Sequence, residues 1–332
     1  MSLPTHIESL PATLEAIRRL LAAALPESRA AESEPPLELT TSELQPARLI
    51  SATIIEGSRL RAHRIVDPPF VGIAAFLDGT QESRVVSYLR GGVPIVLGTV
   101  AGVIRERRNA RLYTWKHDVR RRLYLSRAHV AEDAWQHLSA AGLPLADTSA
   151  DAAPPASEHP LALRESAIHR VQKDRESVEQ GLALEWVQRE DAPLLIDGGI
   201  SSSEPVAKAA AAIGVVKSHR TMYATGRDLA TVLALGRAER SSVFLVTSPK
   251  RAAVASWYLR LREQSGGDPM WGLVRVETSA GAITDVAEIT RLANEVSRWI
   301  LAEVSPVALP DRRWDKMVYG VRDCEEFLRA VV

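Results

Sequence analysis

Two short stretches join an apolar run to an Asp-Gly pair. Val71-Gly72-Ile73-Ala74-Ala75-Phe76-Leu77 leads into Asp78-Gly79-Thr80, and Pro193-Leu194-Leu195-Ile196 leads into Asp197-Gly198-Gly199. A continuous apolar run bounded by a turn residue reads as a strand buried on both faces, so each aspartate is predicted where a core strand meets solvent. On neighbouring strands, two ionised carboxylates about 4 Å apart at an effective dielectric of about 20 repel by about 4 kcal/mol. A divalent cation removes that repulsion, and an all-oxygen donor set selects hard ions, Mn²⁺ or Mg²⁺, over zinc. One Asp-Gly by itself reads as a strand-ending turn. The repetition of the pattern favours the metal reading.

Other charged residues suit a phosphate substrate. Arg105, Arg107, Arg108, Arg111, Lys116, Arg120, Arg121 and Arg122 fall within 18 residues that also hold Tyr113 and Trp115, with Tyr124 just beyond. Basic groups answer phosphates and aromatic rings stack on unpaired bases, so the segment reads as a nucleic-acid-binding stretch, with a solvated basic hairpin as the plainer alternative. Lys217, at the end of Val215-Val216-Lys217, is placed to neutralise a scissile phosphate, or is a surface lysine. The chain has no Gly-x-x-x-x-Gly-Lys-Ser/Thr loop, no Gly-x-Ser-x-Gly elbow, no His-Glu-x-x-His and no Gly-x-Gly-x-x-Gly after a strand.

The elements that must position these residues follow from periodicity. Residues 7–25 carry apolar side chains at helical spacing, and residues 27–46 form an acidic, Pro-containing arm. Three strands, 71–78, 85–89 and 94–104, are joined by tight turns such as Arg90-Gly91-Gly92 and predict an antiparallel meander. A loop rich in Ala, Pro, Ser and Asp spans about 143–160. A long helix over about 163–188 follows, with Ile168, Val171, Val178, Leu182 and Trp186 on one stripe. Strands and helices then alternate, ending in a helix over about 285–304. An antiparallel trio followed by helix–strand alternation predicts an α/β fold, a ribonuclease-H-like mixed sheet with flanking helices and an N-terminal helical arm.

In that fold the first and fourth strands lie side by side and each delivers a carboxylate, with a third acid on the intervening helix. Glu179 falls at the edge of the apolar stripe while Glu176 turns some 60° further towards solvent, at about 100° per residue, so Glu179 is the better candidate. Asp285 lies near the apolar face of the last helix and could complete a four-acid cluster. Asp285-Val286-Ala287-Glu288 also reads as a capping box.

The chain has 332 residues, 46% hydrophobic and 25% charged, with zero formal net charge. That composition suits one large domain or two small ones and excludes disorder. The expected organisation is an arm over 1–50, a ribonuclease-H-like domain over 51–305 and a C-terminal extension of it over 306–332. The single cysteine, Cys324, excludes an internal disulfide and any multi-cysteine zinc site, and fits a reducing cytoplasm. No apolar stretch approaches 18 residues and the start lacks a basic-then-apolar signal, so neither secretion nor a membrane span is expected.

On these residues the chain resembles the NurA nucleases. The resemblance lies in Phe76-Leu77-Asp78-Gly79-Thr80, the helix with Arg175 and Glu179, Leu195-Ile196-Asp197-Gly198-Gly199, Gly214-Val215-Val216-Lys217-Ser218 and Trp271-Gly272-Leu273-Val274-Arg275-Val276-Glu277, over about residues 70–300. It implies a ribonuclease-H-like core, a homodimer, Mn²⁺- or Mg²⁺-dependent DNA cleavage and partnership with a HerA-type hexameric ATPase. In the two-metal scheme Asp78 would bridge both ions while Asp197 and Glu179 each hold one. Two positions depart from the family pattern: Thr80 replaces a serine, and Ala293-Asn294 stands where archaeal members carry Ala-His. The fourth ligand is then Asp285, Asn294 or one of Asp311, Asp315 and Asp323. A non-catalytic DNA-binding or translocase-docking scaffold is the alternative, and an actin-like ATPase a more distant one.

Overall fold

The computed structural model describes residues 14–30, 46–109, 111–142, 144–149, 159–249, 251–263, 268–281, 285–304 and 319–332. In chain order these form α1 (Leu14–Ala24), β1 (Arg29–Ala30), β2 (Arg48–Leu49), β3 (Thr53–Ile54), β4 (Ala62–Arg64), β5 (Ala75–Tyr88), β6 (Pro94–Arg108), β7 (Arg111–Leu125), α2 (Glu132–Ala140) and β8 (Leu145–Asp147). They continue as α3 (Pro160–Arg189), β9 (Leu194–Asp197), α4 (Glu204–Lys208), β10 (Ala212–Val216), β11 (Thr221–Met222), α5 (Gly226–Leu233) and β12 (Glu239–Ser241). Last come β13 (Phe244–Ser248), β14 (Arg251–Arg260), β15 (Leu273–Ser279), α6 (Val286–Ala302) and α7 (Tyr319–Val331).

One large mixed sheet organises the molecule. Its main path runs β3-β13-β14-β15-β10-β9-β5-β6-β7-β8. At its centre β5 pairs antiparallel with β6 and β6 antiparallel with β7, while β9 runs parallel to both β5 and β10. Side chains alternate between faces along each strand, and the two faces carry separate cores. On one, α3 lays Val171, Val178, Leu182 and Trp186 against Leu77, Val100, Ile104 and Ile196. On the other, Phe76, Val103, Leu195 and Val215 meet Ile289, Val296 and Ile300 of α6 and Val321, Cys324 and Leu328 of α7.

Helix α3 bears out its apolar stripe, and each large side chain it buries contributes about 1.5–3 kcal/mol over exposure. Pro160 opens the helix, where a missing N–H leaves nothing unpaired, and the His159 ring accepts the Leu161 N–H. The chain leaves the helix before Pro193, whose predecessor is biased to extended backbone.

Two expectations are corrected. The first two meander strands are one: β5 runs unbroken through Gly79-Thr80, because β6 pairs with it along its whole length. The third strand of the meander is therefore β7, which together with the end of β6 carries the basic segment. Within the expected loop over 143–160, Leu145–Asp147 pairs parallel with β7, and residues 150–158 lie outside the described residues. Helix α1 packs Ile17 and Leu21 against Val86, Ile95 and Leu123, at the far ends of β5, β6 and β7. The rest of the expected arm, residues 1–13 and 31–45, lies outside the described residues.

Candidate functional site

The parallel pairing of β5 with β9 decides the centre of the site. Ala75, Phe76 and Leu77 lie opposite Leu194, Leu195 and Ile196, and one step further the register sets Asp78 opposite Asp197. Neighbouring strands lie about 4.8 Å apart, so the two aspartates are side by side on one face. Asp78 is not at a strand end, as expected, but at the fourth residue of β5. Asp78 itself is buried; because β9 stops at Asp197, β5 has no partner strand on that side, among the described residues, until β1 pairs with Ser87 and Tyr88. On the far side of Asp197, Val215 of β10 stands in register, and Lys217 lies two residues on, facing the same way. Its Nζ donates to Asp197 Oδ2 at 2.8 Å.

Burial, then the charge of Asp197, then that of Glu179 push the Asp78 carboxyl well above the usual carboxylate range, against the pull of Lys217. Lys217 is raised because its charge is matched by Asp197 and Asp78, which outweighs its burial. Helix α7 closes this face: the Cys324 thiol, pushed up by burial and by Asp78, donates to the Phe76 carbonyl at 3.5 Å.

Glu179 approaches from the other face, on α3. Gly79 makes the approach possible, since a Cβ there would lie 2.2 Å from Glu179 Oε1. Arg175, one turn earlier, donates to that oxygen. Burial pushes Glu179 up to about 7, with Arg175 opposing and Asp197 adding to the rise. Glu176 also borders the cleft of about 190 Å³ between α3 and the end of β9, where it accepts from Gln172 at 3.0 Å. Only Glu179 lies against the strand that carries Asp78.

Asp285 is not brought into this cluster. It caps α6, accepting the Ala287 N–H at 2.9 Å, so the capping alternative describes it. Helix α6 starts shortly after β15, which runs antiparallel to β10 and ends away from Lys217. Asn294 accepts from the buried Arg240 at 2.7 Å. Asp323 pairs with Arg105, and Asp311 and Asp315 lie outside the described residues.

The basic segment does not form one continuous path. It alternates faces along two strands, and carboxylates from other elements and from its own strands neutralise most of it. Arg105 pairs with Asp323 on α7, Arg107 pairs through two bonds with Glu303 beyond α6, Lys116 pairs with Glu185 on α3, and Arg120 pairs with Asp118. Arg108 pairs with Glu106 at the exposed hairpin end, where Arg111 is also exposed.

Sequence reasoning left residues 306–332 unplaced. The buried Val321, Cys324 and Leu328 of α7 carry helical spacing that marks this helix once looked for. No signal in the sequence joins Arg48, Arg220, Arg251 and Arg275, which meet in a second cleft.

Three carboxylates against Lys217 and Arg175 suit a hard cation in charge and in donor type, and Gly79 provides the space that a side chain would fill. In spacing, Asp78 and Asp197 form a pair on one face of the sheet, while Glu179, bonded to Arg175, lies on the other. Among the described residues no group of three His, Cys, Asp or Glu side chains converges as a finished metal site does.

No model of a known protein family matches the chain, and no curated protein does. Among solved structures it is similar to the NurA nuclease of Sulfolobus solfataricus, at 11% sequence identity and a TM-score of 0.42, over 84% of this chain and 81% of that one. A likeness of that size assigns no role to any residue. No helix among the described residues is long and apolar enough to cross a membrane.

Proposed function

We propose that this chain is a divalent-metal-dependent nuclease with a ribonuclease-H-like core, acting on DNA. The observation that carries the reading is the in-register Asp78–Asp197 pair, set where β9 ends beside β5, with Glu179 reaching over Gly79 from the helix between them. The central strand order β7-β6-β5-β9-β10, antiparallel through the first three strands and parallel through the last three, supports the same reading.

Asp78, Asp197 and Glu179 would hold Mn²⁺ or Mg²⁺, which when bound acts as a Lewis acid on the phosphodiester and lowers the pKa of bound water. Lys217 pairs with Asp197 and offers its ammonium to a non-bridging phosphate oxygen. Arg175 holds Glu179 in a single orientation and buffers its charge until the substrate arrives. Helix α7 covers Asp78 and keeps bulk water from its inner side. The NurA-like motifs extend the proposal to a homodimer working with a HerA-type ATPase.

A non-catalytic DNA-binding scaffold is the second reading, favoured by the ion pairs that already engage Asp197 and Glu179. Incubating the protein with linear duplex and single-stranded DNA in Mn²⁺, Mg²⁺ or EDTA separates the two. Metal-dependent cleavage that Asp78→Asn removes supports the nuclease. Binding without cleavage in either metal supports the scaffold.

A further inference from the structure

The sequence placed nucleic-acid contacts on the β6–β7 ribbon, yet that ribbon spends its charge internally. Cationic side chains converge elsewhere. An open cleft of about 300 Å³ lies beside the acidic cleft, on the same face of the sheet, and Gly199 and Arg251 line both. Arg48, Arg220, Arg251 and Arg275 line it against Glu277 alone among acidic residues, an excess of three positive charges. Ser218 and Thr221 add hydroxyl donors.

Long-range pairing builds this convergence. β2 runs parallel to β11, with the Arg48 N–H on the Arg220 carbonyl at 2.8 Å and Arg48 Nε on Thr221 Oγ1 at 3.2 Å. The Ala252 N–H bonds the Ser201 carbonyl, which ties the start of β14, and Arg251 with it, to the loop after Asp197. Arg275 is held by Glu277 and lies 5.2 Å from the centre of the Tyr223 ring, so it forms the fixed floor. Arg48 and Arg251 are exposed at the rim and extend into solvent.

We propose that this cleft binds the phosphodiester backbone of a single nucleic-acid strand and leads it to the acidic cluster. The inference rests on the nuclease reading for what happens at the strand's end, and not for the binding itself. Excess positive charge lining an open groove attracts a polyanion by counterion release, with no need for base contacts. The adjoining acidic cleft repels phosphate unless a cation is present, so the two clefts divide holding from cutting.

The test is fluorescence anisotropy with a 5′-fluorescein oligodeoxythymidylate of about 20 nucleotides, in EDTA, between about 50 and 300 mM KCl. Arg48→Ala/Arg251→Ala should weaken binding about tenfold at the lowest salt and reduce the slope of log affinity against log salt by about 1.4, at about 0.7 per phosphate contact. Arg108→Ala/Arg111→Ala should change the slope less. Both variants should melt within about 2 °C of the wild type, since all four side chains are exposed. An unchanged affinity and slope in Arg48→Ala/Arg251→Ala, a larger effect in Arg108→Ala/Arg111→Ala, or no binding by the wild type overturns the inference. Cleavage in Mn²⁺ that needs Asp78 while binding ignores Arg48 and Arg251 sinks this inference alone. Arginine-dependent binding with no cleavage sinks the nuclease reading alone.

Discussion

Asp78-Gly79 and Asp197-Gly198 are the same dipeptide after the same kind of apolar run, and they do different things. At Gly198 the backbone turns, with φ at +130°, in the region that favours glycine, and β9 ends there. At Gly79 the strand runs on, and glycine is required because Glu179 of α3 occupies the space a side chain would fill. The aspartates differ as well. Asp197 is matched by Lys217, whereas Asp78 is buried among like charges. One dipeptide ends a strand and pairs with Lys217; the other holds a buried carboxyl against a helix.

Exchanging the aspartates tests this contrast most severely. Asp78→Asn should lower cleavage of linear DNA in Mn²⁺ by at least a hundredfold while leaving the melting temperature in EDTA unchanged or higher, since it removes a charge that burial and Asp197 disfavour. Asp197→Asn should lose cleavage equally but lower stability by about 1–3 kcal/mol, because Lys217 is left without its partner. A large stability loss in Asp78→Asn would mark that residue as structural and remove the distinction.

The helix carboxylates come next. Glu179→Gln should reduce cleavage by orders of magnitude and Glu176→Gln by only a few-fold, measured as single-turnover rates. The reverse order would mean that the approach over Gly79 has no catalytic consequence.

The glycines should separate activity from stability. Gly79→Ala should slow cleavage about tenfold and cost less stability than Gly198→Ala, because the whole Glu179 side chain, Cγ at 2.8 Å included, must turn away from the new methyl while the strand keeps its backbone conformation. Gly198→Ala should instead cost about 1–3 kcal/mol of stability, since alanine must adopt a positive φ. Equal profiles for the two variants would refute the division of roles.

The smallest effect is on pH. Asp78 is raised well above its ordinary value and Glu179 is raised to about 7. A carboxyl whose folded pKa lies above its unfolded one binds protons more readily in the folded state. Its stabilisation is full below the unfolded value of about 4.5 and is lost as pH rises through about 7. In EDTA the wild type should therefore lose stability between pH 5 and 8 relative to Asp78→Asn/Glu179→Gln, as read by melting temperature. Parallel curves would place both carboxyls outside a shared field.

The apolar runs, the helical stripe from Ile168 to Trp186 and the Asp-Gly pairs are local patterns. They gave β9, α3 and α6 nearly to the residue, because periodicity of 2 or 3.6 is read over a few neighbours. The match of Asp78 with Asp197 followed from strand order alone. Whether β5 ends or continues at Asp78 was not legible, because that depends on β6 pairing across Gly79, some twenty residues away. Nor was the fate of the basic segment. Arginine repels arginine along the chain, but in space Arg105, Arg107 and Lys116 meet carboxylates from α7, from beyond α6 and from α3. Arg48 and Arg220 stand 172 positions apart and become neighbours only when β2 pairs with β11. Sequence by itself determined which residues carry charge and which segments are buried. Tertiary structure decided which charges cancel, because electrostatic energy depends on separation in space and burial, and neither is set by distance along the chain.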